Sequence, residues 1–354
     1  MKYTIIFILV LGSMCCTSQE NNNIHDFTRV KIDMILEDSI SIRALDIYND
    51  TLIGFGYNKG YGFINLKTNY HELIEFEISE KTKNENNWIT EQRAVGFNNS
   101  SFFSLGIGSP ARMRKIDLIT KEEKIVYTET HDKVFYDAML FWNENEGIAM
   151  GDPTEDCLSI IITKDGGENW TKISCNDLPK TEEGEAAFAA SNGNISSVGD
   201  NTWILSGGMK SRVFYSPDKG AHWEVYNTPL IQGTSTTGGY AIHFYDKDNG
   251  VIFGGDYTNP TKNLQNKAIT VNGGKTWSLI TQDNGPGYKS SVRYIPNSNG
   301  QKLVAIGFTG ISVSNDFGKN WVELSKEGFY TLRFISNTTA IAAGKGRIAR
   351  LIFD

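Results

Sequence analysis

The residues of this chain best equipped for chemistry are arginines set among carboxylates and a tyrosine. Arg43, Arg93 and Arg212 are planar forks that can hold a carboxylate or another oxyanion through paired hydrogen bonds. Glu185, Asp137 and Asp152 can serve as acids or acceptors, and Tyr240 with Glu185 would make an activated phenolic nucleophile. Asp256, Lys345 and Arg347 add charge of both signs. Such a set can bind an anionic or polar ligand, or cleave a glycosidic bond. Alternatively, the charges pair with one another and line a wet channel. The residues are scattered along the sequence, so each reading needs a fold that gathers them.

A repeated turn supplies that fold. Thr163-Lys164-Asp165-Gly166-Gly167-Glu168-Asn169-Trp170 recurs with its frame intact at 216–223, 270–277 and 314–321. The frame is a hydroxyl, any residue, Asp or Asn, any residue, Gly, any two residues, then Trp. Its polar positions are Asp165, Asp218, Asn272 and Asp316, and its aromatic ones Trp170, Trp223, Trp277 and Trp321. Short polar side chains can bond nearby backbone N–H groups and fix a turn, and Gly admits the positive φ such a turn needs. Apolar runs flank each copy, so each reads as a hairpin turn between strands, and these polar residues read as structural.

A second landmark recurs more often. Segments beginning at Arg43, Arg93, Asp137, Glu185, Tyr240, Ser290 and Tyr330 align with a small residue at position two and apolar residues at positions three and five. That is strand alternation, and the crowded second position suits an axis. A further strand and a third strand follow each segment at a period of about 48 residues, the size of a propeller blade. The expectation is an all-β, seven-bladed β-propeller of four-stranded antiparallel blades. Val30 to Leu36 would supply the missing outer strand of the last blade and close the ring. Meander connectivity then puts the first positions of the inner segments and the second-to-third-strand loops on one face. That face would gather Arg43, Arg93, Arg112, Asp137, Asp152, Glu185, Lys210, Arg212, Tyr240, Asp256, Tyr257, Lys289, Lys345 and Arg347 around a central funnel.

Composition narrows the classes. The chain has 354 residues and a formal net charge of −7, which argues against a nucleic-acid partner. Residues 1–18 read as a signal peptide, with Lys2 ahead of the apolar run Ile5 to Leu11. Gly12-Ser13-Met14-Cys15-Cys16 resembles a lipobox, which would lipidate Cys15 or Cys16. Residues 19–27 read as a tether, and 28–354 as the propeller. The expected location is outside the bacterial cytoplasm, periplasmic or at the outer membrane, with membrane contact only through a lipid anchor. Cys157 and Cys175 flank the first turn as near cross-strand neighbours. They would form a disulfide in an oxidising compartment, or remain two half-buried thiols. Asp246-Lys247-Asp248-Asn249-Gly250 hints at a calcium loop but lacks the downstream acidic ligand. No metal and no cofactor is expected.

The repeated frame resembles the Asp-box of BNR-type β-propellers. Phe135-Tyr136-Asp137-Ala138, Gly147 to Pro153, Gly184 to Ser191, Ser211-Arg212-Val213-Phe214, Gly254-Gly255-Asp256-Tyr257 and Gly344 to Ala349 resemble a bacterial propeller group related to the photosystem II stability/assembly factor. The resemblance covers about residue 40 onward. It implies a non-enzymatic assembly factor; together with the charged funnel, the expectation is a monomeric, non-catalytic binding or assembly scaffold for a protein or a polar or anionic ligand. The alternative is a sialidase-like glycoside hydrolase or a glycan-binding protein, against which the sialidase Arg-Ile-Pro motif is absent. Members of the group are often labelled oxidoreductases. No haem Cys-x-x-Cys-His and no strand-to-helix Gly-x-Gly-x-x-Gly supports that label.

Overall fold

The computed structural model describes residues 25–76, 91–280 and 285–354. Signal peptide, lipidation at Cys15 or Cys16 and most of the tether lie outside the described residues. Of the tether, Phe27 is buried and stacks on Phe353, with ring centroids 5.5 Å apart.

The described chain is a ring of antiparallel strands, with no helix among the described residues. Strands such as Leu303–Gly307 are apolar throughout and buried at every position, because neighbouring sheets cover both their faces. Side chains interleave between sheets. Trp203 of one sheet stacks on Phe244 of the next at 3.6 Å, and its indole N–H donates to Gly273 O at 2.8 Å. Both needs of a buried indole, apolar area and a partner for its N–H, are therefore met.

The expectation of seven separate four-stranded blades is overturned. Counted as hydrogen-bonded sheets, the blades are six: four of four strands and two of six. Two long strands cause the difference. Val30–Tyr48 pairs with Thr339–Phe353 through its first half and with Leu52–Tyr57 through its second. The strands of the first and last repeats thereby join in one continuous sheet, ordered Thr331–Phe334, Thr339–Phe353, Val30–Tyr48, Leu52–Tyr57, Gly60–Asn65, Tyr70–Glu75. Val30 faces Phe353 in this ladder, so the sheet bridges the two ends of the described chain.

The fourth inner segment is also corrected. Glu185–Ala186 is a two-residue strand pairing with Gly207–Gly208 in the sheet that also contains Thr237–Phe244. The inner position is taken by Ile195–Val198, which pairs with Asn201–Leu205. Glycine permits the displacement: Gly208 has φ +90°, and a Cβ there would lie 2.4 Å from Gly184 O.

The residues between these strands cross the axis as a plug. Asn192 accepts from Met139 N at 2.9 Å and donates to Val95 O at 2.9 Å. Thr331 Oγ1 donates to Ser191 O at 2.8 Å, and Ile242 N donates to Gly193 O at 2.9 Å. One short segment thus ties inner strands from four sheets together.

The repeated turns have the geometry their residues dictate. Thr163 Oγ1 donates to Asp165 Oδ1 at 2.9 Å and accepts from Gly167 N at 2.9 Å, while Asp165 Oδ1 accepts from Asn169 N at 3.0 Å. The same three bonds recur in the turns at Ser216, Thr270 and Ser314. Asp165, Asp218, Asn272 and Asp316 thus each close their own turn. Cys157 and Cys175 are joined in a disulfide across the first of these hairpins, with Cα atoms 5.5 Å apart.

Candidate functional site

At the funnel mouth, a run of aromatic rings adjoins two guanidiniums, each set over a ring of its own. Phe188 stacks on Tyr240 at 4.1 Å, and Tyr240 meets Tyr288 edge-on at 4.8 Å and Tyr257 at 6.4 Å. Tyr288 continues to Phe308 at 5.3 Å. Across the mouth, Arg43 lies over the Tyr330 ring at 4.2 Å and Arg93 over Phe135 at 5.9 Å. Arg43 lies inside Val30–Tyr48, just after that strand passes from Thr339–Phe353 to Leu52–Tyr57. Arg93 and Tyr240 lie near the starts of Gln92–Phe97 and Thr237–Phe244, Tyr330 lies just ahead of Thr331–Phe334, and the loops after Gly250–Asp256 and Leu303–Gly307 supply Tyr257 and Phe308. Met209, Tyr257 and Phe308 remain exposed on this rim.

Arg43 makes no hydrogen bond or ion pair among the described residues. Burial lowers its pKa and neighbouring Arg93 lowers it further, with Tyr330, Tyr288 and Glu91 opposing. Arg93 is held by Glu91 at 2.8 Å and by Ala189 O at 3.2 Å.

Behind Arg93 lie two carboxyl groups. Asp137 is fully buried and neither oxygen reaches a hydrogen-bond partner. Burial, and then repulsion from Asp152, push its pKa far up, against Arg93. The amides of Asp152 and Ala189 also oppose the rise, though they fall short of hydrogen-bond geometry. Asp152 accepts from Ala187 N at 2.7 Å, and burial pushes it up to about 7.

The other expected residues go elsewhere. Glu185 and Arg212 are brought together and spend themselves on each other. Arg212 Nε donates to Glu185 Oε1 at 3.0 Å and Oε2 at 3.1 Å, and Arg212 Nη2 donates to Lys180 O at 2.7 Å. Tyr240 donates to Thr236 O at 2.8 Å, so no Tyr–Glu nucleophile pair forms with Glu185. Asp256 closes a local turn by accepting from Thr258 N at 2.9 Å. Arg347 pairs with Glu327 at 2.7 Å and Lys345 is exposed. Lys289 is drawn inward to Gly310 O at 2.8 Å, and burial pushes its pKa down to about 8. At the loop with a calcium-like pattern, Asp246 is occupied by the amides of Asp248 and Asn249. No cluster of metal-ligating side chains occurs among the described residues.

Sequence reasoning missed the aromatic members Phe188, Tyr288, Tyr330, Phe308 and Phe135. Tyr330 sat at the first position of an aligned inner segment, in register with Arg43, Arg93 and Tyr240, and carried the signal. A separate groove of about 810 Å³ lies on the side of the repeated turns, lined by residues including Lys164, Asp165, Lys172 and Lys219. It contains none of the mouth residues.

Strands stacked around an axis with a charged, aromatic mouth define a β-propeller, and solved structures agree. The structure titled "YCF48 bound to D1 peptide" superposes with a TM-score of 0.64 at 12% identity, covering 93% of this chain and 96% of that one. YCF48 from Cyanidioschyzon merolae gives 0.62 at 15% identity, covering 92% and 99%. The WD40 repeats of RRP9 give 0.62 at 9% identity, covering 92% and 98%. At these identities the likeness is one of fold. No protein-family model matches the sequence, and no curated protein matches it.

Proposed function

We propose that this chain is a non-catalytic binding scaffold whose funnel mouth receives a carboxylate-bearing segment of another protein. The observation that carries the reading is Arg43: a half-buried guanidinium without an ion-pair partner among the described residues, set against Tyr330 and continued by a ledge of aromatic rings. Aromatic residues, Met and Arg are enriched where proteins bind one another, and Met209, Tyr257 and Phe308 stand exposed beside the mouth. The neighbour YCF48 holds a D1 peptide, which supports a peptide ligand on this fold. The reading includes export and lipid anchoring, for which the sequence of residues 1–18 is the support.

A random-peptide display library, selected on the purified protein, tests it. The expected result is an enriched acidic consensus that is lost on Arg43→Ala and on the double change Tyr257→Ala with Phe308→Ala. Enrichment that survives all of these changes would put the binding surface elsewhere. No enrichment at all would remove the peptide reading.

A further inference from the structure

Beneath the plug lies a second site that the funnel does not use. A cavity of about 240 Å³ is lined by Asp46, Asn192, Ser196, His243, Arg293 and Arg333, among others. Asp46, His243, Arg293 and Arg333 occupy the fourth position of the aligned inner segments, three residues beyond the mouth. At about 3.3 Å per strand residue they lie roughly 10 Å deeper along the axis.

The charges here are not balanced. Arg293 is 8% exposed and makes no hydrogen bond or ion pair among the described residues, and its Nε is buried without a partner. Arg333 donates to Leu332 O at 2.9 Å and Asn192 O at 2.9 Å, which are neutral acceptors. Asp46 is the nearby carboxylate, yet it forms no ion pair with either guanidinium; it accepts from Phe97 N at 3.2 Å. Burial raises the Asp46 pKa, which weakens it further as a counter-charge. His243 Nδ1 accepts from Tyr294 N at 3.1 Å, which leaves the ring proton on Nε2, and burial keeps the ring neutral. Ser196 Oγ accepts from Phe244 N at 3.1 Å, so its O–H is free to donate.

A buried guanidinium, Arg293, and a half-buried one, Arg333, without a carboxylate partner are costly, and each keeps unspent donors. We infer that this cavity is a binding site for one small oxyanion, a phosphate or a carboxylate, held between Arg293 and Arg333. Guanidiniums bind both groups in a planar fork. At roughly 30 Å³ per water, the space takes a single oxyanion with a few waters and no large ligand. The anion would link inner strands from opposite sides of the ring through the plug residue Asn192.

Melting of the purified protein in sodium phosphate, sodium acetate and sodium chloride at matched ionic strength, with calorimetric titration of each anion, tests the site. Phosphate or acetate is expected to raise Tm above the chloride value, since a ligand of the native state stabilises by mass action. The arm that responds identifies the source. Arg293→Gln and Arg333→Gln are each expected to weaken binding at least about tenfold. Lys164→Ala, at the turn-side groove, should bind as the parent does. Should a glutamine variant fail to fold, Arg293→Lys keeps the charge and loses the fork, and weaker binding is expected from it too. The proposal fails if phosphate and acetate do no more than chloride. It also fails if Arg293→Gln or Arg293→Lys binds as tightly as the parent.

Discussion

Removing one partner of the Glu185–Arg212 pair should destabilise the protein far more than removing both. The Glu185 side chain is fully buried and that of Arg212 is 10% exposed. Ser206 Oγ also donates to Glu185 Oε1, at 2.5 Å. Glu185→Gln keeps the shape and leaves the guanidinium without its counter-charge. Breaking a buried pair in this way costs about 3–5 kcal/mol, whereas replacing both charges with apolar groups is often close to neutral. Unfolding entropy is about 2.1 cal/mol/K per residue, so a chain of 354 residues loses roughly 4–7 °C in Tm for that cost. Differential scanning calorimetry of Glu185→Gln, Arg212→Met and the double variant Glu185→Leu with Arg212→Met closes the cycle. The account expects large losses in both single variants and recovery of most of the stability in the double one. Single variants within about 1 kcal/mol of the parent would refute it, and would return Glu185 and Arg212 to the pool of residues free to bind a ligand.

Two further predictions concern stability. Burial raises the Asp152 pKa to about 7 in the folded chain, above the usual carboxylate value, so the native state binds more protons than the unfolded state between about pH 4 and pH 7. Stability should fall as pH rises through that window, and Asp137, whose pKa burial and Asp152 push far up, adds to the fall and carries it to higher pH. Asp152→Asn should flatten the slope by on the order of 4 kcal/mol across the window, and an unchanged slope in pH-dependent denaturation would contradict the assignment. The disulfide closes a loop with a sequence separation of 18. Cys157→Ser with Cys175→Ser should cost about 3 kcal/mol, and a reductant should lower the Tm of the parent but not of the double variant.

The turns and the mouth were legible in the sequence to different degrees, for physical reasons. The turns were readable because all their bonds are local: Thr163, Asp165 and Gly167 satisfy one another within five residues. Position two of the inner strands was readable because crowding leaves only small residues there, as at Ala44, Ala94, Ala138 and Ala241, all buried. Glu185-Ala186-Ala187-Phe188-Ala189 mimicked that pattern but is not an inner strand. Its place is set by long-range partners, Arg212 and the glycines at 207 and 208, which alternation cannot see. The number of sheets was hidden because it depends on whether Val30–Tyr48 and Thr339–Phe353 run unbroken, a property of pairing rather than composition. The mouth was drawn mainly from charges, with few aromatic residues beside Tyr240. Its aromatic ledge lies partly in loops and becomes visible only when Tyr240, Tyr288 and Phe308 meet in space. The deep arginines stood in one aligned column all along, three positions beyond the residues from which the funnel was drawn.

The measurement that bears most directly on the binding account is a calorimetric titration of a display-selected peptide into the parent, Arg43→Ala and Lys164→Ala proteins. Lys164 lines the turn-side groove, so the two changes separate the faces. If the funnel mouth is the binding surface, Arg43→Ala weakens the peptide at least about tenfold and Lys164→Ala leaves it unchanged. Loss of binding in Lys164→Ala with Arg43→Ala intact would contradict the account and move the site to the opposite side of the ring.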